Sequence, residues 1–108
     1  MSASPGAESA AVRPRGDDVL ALEGTLSFDT APDLYAAGAD WVRAAAGPVT
    51  FDLAGVGRID SAGLALLVEW MRLAKGRGVR LANVPAQARD LIRVYGLSAA
   101  LGVTNDAG

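Results

Sequence analysis

At 108 residues the chain is long enough for one domain, and a domain of that size buries roughly 65% of the surface its unfolded form exposes. A net charge of −2, with basic residues scattered from Arg13 to Arg93 and never in a run, leaves no footprint for a phosphate backbone, so nucleic acid is not an expected partner. Cysteine and histidine are both absent, which removes disulfides, thiol nucleophiles, imidazole bases and the usual zinc or copper ligands, so no metal or other cofactor is expected. The first nine residues are small and polar without periodicity and read as a flexible tail. Met1 to Ala11 carries Glu8 and lacks the basic and apolar regions of a secretory signal, so a cytoplasmic location is expected. A weak strand at Ala10 to Arg13, the turn cluster Pro14-Arg15-Gly16-Asp17 and a strand at Val19 to Glu23 predict a hairpin. Gly24 to Asp29 reads as a loop. Thr30, Pro32 and Asp33 then supply a capping hydroxyl, a first-turn proline and an acid near the dipole, predicting a helix over 31–46 that ends at Gly47-Pro48.

Val49 to Leu53 alternates apolar and polar and predicts a strand, with Ala54-Gly55-Val56-Gly57 as a loop before Arg58-Ile59-Asp60. A second helix is predicted from Ser61 to about Lys75, stopped by Gly76-Arg77-Gly78, and a strand follows at Val79 to Asn83. Strand, helix and strand over Val49 to Asn83 imply a right-handed crossover between parallel strands, and the hairpin makes the sheet mixed. A third helix is predicted at about Ala86 to Tyr95, then a short turn or helix at Leu97 to Leu101. The fold class is therefore α/β: a mixed sheet, with an N-terminal hairpin and parallel strands, packed by helices. One domain over 10–104 is expected, with a second tail at 105–108. No apolar stretch approaches the ~20 residues needed to span a bilayer, so direct membrane insertion is not expected.

The second helix is unusual. At about 100° per residue, Leu64, Leu67, Val68, Met71 and Ala74 form the face expected to lie on a sheet. Leu66, Trp70 and Leu73 widen the apolar arc to about 220°, roughly twice what one-sided packing needs. Either neighbouring helices cover the surplus or it is a protein-binding surface anchored by Trp70. The helix begins at Asp60-Ser61, after a parallel strand, where α/β folds tend to place their sites. Either residue can cap the orphan N–H groups there. The lysine-bearing phosphate-loop pattern is missing, so nucleotide hydrolysis is not indicated. Asp60 and Glu69, the nearest acids, point opposite ways on the helix, and no set of acid, base and nucleophile converges, so an enzyme is not expected.

Asp60-Ser61-Ala62-Gly63-Leu64 resembles the Asp-Ser/Thr-x-Gly-Leu signature of STAS domains, the fold of anti-sigma factor antagonists and sulfate transporter tails. Leu22-Glu23-Gly24, Phe51-Asp52-Leu53, Arg58 to Val68, Leu73-Ala74-Lys75 and Val94-Tyr95-Gly96-Leu97 extend the likeness over about Gly16 to Leu101. Together they resemble the MlaB-type STAS subunits of Mla phospholipid ABC transporters. That resemblance implies a non-catalytic subunit that binds the MlaF-like ATPase and supports transporter assembly and activity, peripheral to the inner membrane. The expected contact comprises Asp60, Ser61, Ala62, Gly63, Leu64, Leu66, Trp70 and Leu73; a homodimer of the isolated domain through the same face is a further expectation. The polar helix-three residues Arg89 and Arg93 read as a solvated face. The alternative is an anti-sigma factor antagonist phosphorylated on Ser61, although Gly24-Thr25-Leu26-Ser27 stands where antagonists usually have Gly-Glu-Leu-Asp.

Overall fold

The computed structural model describes residues 9–74, 76–94 and 96. The expected tail over 1–8, the helix ends at Lys75 and Tyr95, the turn at 97–101 and the C-terminal tail lie outside the described residues. Seven elements follow in order: β1 (Ala10–Arg15), β2 (Val19–Leu26), α1 (Ala31–Ala44), β3 (Val49–Ile59), α2 (Ser61–Ala74), β4 (Val79–Ala82) and α3 (Ala86–Val94). The four strands form one sheet in the order β1-β2-β3-β4. β1 is antiparallel to β2, while β3 runs parallel to both β2 and β4. The expected mixed sheet with its N-terminal hairpin is what the chain builds.

Sheet order explains the layering. β2-α1-β3 and β3-α2-β4 step across the sheet in one direction, so right-handed crossovers put both helices on the same face. Leu20, Leu22, Phe51, Leu53 and Leu81 point to that face and are buried. The opposite face carries Arg13, Arg15, Glu23, Asp52 and Arg80. Its one buried member among these, Asp52, accepts from the Ala54 N–H and Asn83 Nδ2, each at 2.9 Å, and from Arg15. Burial pushes the Asp52 carboxyl up, but the bonds from Asn83 and Ala54 and the Arg15 charge outweigh that and hold it below the usual carboxylate range.

Several boundaries depart from expectation, and β1 itself runs on through Pro14 to Arg15. β3 does not stop at Leu53 but runs eleven residues, with two bulges. Between the pairs Ala21↔Asp52 and Glu23↔Gly55, β3 takes three steps to two of β2; between Gly24↔Val56 and Thr25↔Arg58 it takes two steps to one. Each bulge turns the side chains over, so Leu53, Val56 and Ile59 are buried at a spacing of three, and the period-two signal disappears. β2 likewise continues through Gly24 to Leu26.

A further departure is at Thr30, which does not cap α1 through its side chain. Its hydroxyl accepts from the Ser27 N–H at 2.9 Å and donates to the Thr25 carbonyl at 2.6 Å. The loop is braced by this residue, and the Ala31 N–H is satisfied instead by the Ser27 carbonyl at 2.8 Å. α1 ends two residues early, at Ala44. Arg77 donates to the carbonyls of Val42, Ala45 and Ala74, and so ties the C-terminal ends of α1 and α2 together.

Candidate functional site

The N-termini of α1, α2 and α3 lie at the edge where the parallel strands end, and the α2 terminus is the centre of the site. Asp60 follows the last residue of β3, and its N–H is held by the Leu26 carbonyl at 3.0 Å. Of the two capping candidates, Asp60 is the cap. Its Oδ1 accepts from the N–H groups of Ala62 at 2.8 Å and Gly63 at 3.0 Å. Ser61 is thereby left as the first helical residue with an exposed side chain.

Two contacts fix this turn against the sheet. A Cβ on Gly63 would lie 2.4 Å from the Leu26 carbonyl oxygen, so only glycine lets α2 start this close to the end of β2. On the other side Gln87 of α3 uses its amide like a strand: Oε1 accepts from the Ile59 N–H at 3.0 Å, and Nε2 donates to the Ile59 carbonyl. β4 pairs only as far as Asp52, so Gln87 covers β3 where β4 no longer does.

Of the residues expected at a partner surface, the structure brings the exposed Ser61 and the half-buried Asp60 and Ala62 to the sheet edge and takes most of the rest inside. Gly63, Leu64 and Leu66 are buried, and Leu73 is half-buried. Trp70 has no exposed surface. It stacks on Phe51 with ring centroids 5.4 Å apart, and its Nε1 donates to the Tyr35 carbonyl at 3.1 Å. The proposed tryptophan anchor is thus corrected: α1 covers it, and Leu66 and Trp70 are core. The wide apolar arc exists because α2 is flanked, with α1 on one side and α3 on the other.

The outward stripe is instead the exposed Ser61, Ala65 and Arg72, with Val68 half-buried at its margin and packed against the core; the four fall within about 60° of one another at helical spacing. Arg72 lies 3.5 Å from Glu69, and the stripe above it is made of small side chains. Arg93 pairs with Asp90 at 2.9 Å on the exposed side of α3, as a solvated face would. Arg89 instead donates to the Val84 carbonyl at 3.3 Å.

The sequence reading missed Phe28. It is 78% exposed, one of two large hydrophobic side chains so exposed among the described residues, the other being Val94. Its N–H donates to Asp60 Oδ2 at 3.2 Å, so the carboxylate that caps α2 also holds this loop. Leu26-Ser27-Phe28-Asp29 alternates like a strand, so nothing in the sequence signals that Phe28 is exposed while Leu26 is buried.

Among the described residues no helix is long and apolar enough to cross a membrane. Over 84 residues the chain is 37% identical to the intermembrane phospholipid transport system binding protein MlaB of Escherichia coli K12, covering 76% of this chain and 84% of that protein. Among solved structures, an anti-sigma factor antagonist from Mycobacterium paratuberculosis superposes with a TM-score of 0.77 at 24% identity, over 96% of this chain and 92% of that one. The unphosphorylated anti-sigma factor antagonist SpoIIAA superposes with a TM-score of 0.70 at 14% identity, over 92% and 90%. At those identities the two structures speak for the fold alone. The family described as "Mlab, STAS domain" matches residues 9–103, and the chain belongs to that family.

Proposed function

We propose that this chain is the non-catalytic STAS subunit of an Mla-type phospholipid ABC transporter, and that it binds the MlaF-like ATPase and supports assembly and activity of the complex. The observation that carries the reading is the identity to MlaB over most of both chains. The contact is the first turn of α2 at Ser61 and Ala62, which Asp60 caps, continuing along the stripe through Ala65 to the half-buried Val68. Small side chains along that stripe let a partner helix approach the backbone closely, and burying them costs little side-chain entropy. The subunit then sits at the cytoplasmic side of the inner membrane through its partner.

A second reading, an anti-sigma factor antagonist switched by phosphorylation, is favoured by one observation. The Ser61 side chain is exposed on the first turn of α2, where a phosphate would be tolerated by the helix dipole.

Affinity measured by biolayer interferometry against the transporter ATPase of the same organism tests the first reading. Ala65→Arg and Ser61→Glu are each expected to fold normally by circular dichroism and to weaken binding at least tenfold. Undiminished binding by both variants refutes this surface. Stoichiometric phosphoserine at Ser61 after incubation with ATP and lysate of that organism would favour the second reading instead.

A further inference from the structure

We propose that Phe28 is the apolar anchor of the ATPase contact and that Asp60 is the residue that positions it. The inference rests on the reading above and deepens it, since it names the residue that gives that surface its affinity. The loop between β2 and α1 is built to hold the ring in water. The Phe28 N–H is bound to Asp60 Oδ2, the Asp29 N–H to Ser27 Oγ at 3.2 Å, and the Thr30 hydroxyl bridges Ser27 and Thr25. Ser27 and Thr30 are themselves buried, so the loop is braced from below. A fixed, exposed aromatic loses little conformational entropy on binding, and such residues dominate interface energies.

The surroundings specify the occupant. Asp60 touches both the Phe28 loop and the first turn of α2, so a protein lying on the Ser61–Val68 stripe also covers the ring. Exposed Asp29 and Asp33 follow Phe28 in the chain, the Asp60 carboxylate holds the Phe28 N–H, and Arg58 is the one cation in the adjoining β3 segment. An acidic rim disfavours an anionic lipid surface and suits an apolar protein cavity with a basic rim. The geometry also separates the two roles of Asp60. One oxygen caps α2 and the other holds Phe28. Asparagine keeps a capping carbonyl but turns an NH2 toward the Phe28 N–H, where two donors meet.

The test is a binding cycle with the full chain and the purified ATPase. Phe28→Ala is expected to fold and to weaken binding about thirtyfold. Asp60→Asn is expected to keep a near-native melting temperature, to speed amide exchange at residue 28 but not at Gly63, and to weaken binding about fivefold. In the Phe28→Ala background Asp60→Asn should have no further effect on affinity, because its influence passes through the ring. If Phe28→Ala binds normally while Ala65→Arg does not, the anchor is wrong and the reading of the α2 surface stands. If neither variant changes affinity, that reading falls and the anchor with it. If Phe28→Ala abolishes self-association by sedimentation while ATPase affinity is unchanged, the occupant is a second copy and the proposal is overturned. An equal loss from Asp60→Asn with and without Phe28 would make Asp60 a structural cap only.

Discussion

Replacing Gly38 by alanine adds one methyl group to α1 at the point where it crosses Trp70. A Cβ built there lies 2.1 Å from Cζ2, 2.2 Å from Cε2 and 2.7 Å from Nε1 of the indole, far inside the normal contact distance of about 3.5–4.0 Å. The ring cannot retreat, because it is fully buried and lies against Phe51 on its other side. Either α1 lifts from the core or the indole turns and gives up its bond to the Tyr35 carbonyl. Removing glycine from a helix interior favours folding by about 1 kcal/mol. Overpacking of this kind costs about 1–3 kcal/mol, and a lost hydrogen bond adds about 1 kcal/mol. The net expectation is a loss of about 1–3 kcal/mol, or roughly 4–8 °C of melting temperature for each kcal/mol. Urea unfolding followed by tryptophan fluorescence reads it directly. In a Trp70→Leu background the obstruction is gone, and the same Gly38→Ala change should become neutral or stabilising by up to about 1 kcal/mol. A stabilising effect in the wild-type background, or the same cost in both, would refute the account of how these helices meet.

Trp70→Ala should cost about 3–5 kcal/mol, a large part of the 5–15 kcal/mol available to a domain, whereas Trp70→Phe should cost about 1–2 kcal/mol and leave ATPase affinity unchanged, since the ring lies in the core. Chemical unfolding beside biolayer interferometry checks both, and a loss of affinity in folded Trp70→Phe would return the residue to the interface. Gln87→Ala removes both side-chain bonds to Ile59 and should cost about 1–3 kcal/mol, with faster amide exchange at Ile59 as its signature. Because the folded carboxyl of Asp52 titrates below its unfolded value of about 3.9, its contribution is complete above that pH and is lost as the pH falls through the lowered folded value. The stability gap between wild type and Asp52→Asn should therefore be widest near neutrality and close in acid; a gap that grew toward low pH would contradict the assignment.

Local signals sufficed wherever the determinant was local. Proline and an acid in the first turn of α1, the glycines after α2 and the Asp60 carboxylate before it marked helix ends, because capping is settled within a few residues. The Asp60-Ser61-Ala62-Gly63-Leu64 segment was legible for the same reason, and it located the start of α2 at the sheet edge. Residues distant in the chain decided the rest. The continuation of β3 past Leu53 depends on bulges against β2, which break the alternation that announces a strand. Whether Leu66 and Trp70 faced a partner or the core could not follow from α2 alone: a helical wheel gives the width of an apolar arc, not what lies against it. α1 supplied that answer through Gly38, and with Trp70 inside, the outward face fell to Ser61 and Ala65, with Val68 half-buried beside them. Phe28 is the clearest case, for its exposure and its tie to Asp60 join positions thirty-two residues apart. Such a pairing exists only once β2 and β3 lie side by side and bring their C-terminal ends to one edge.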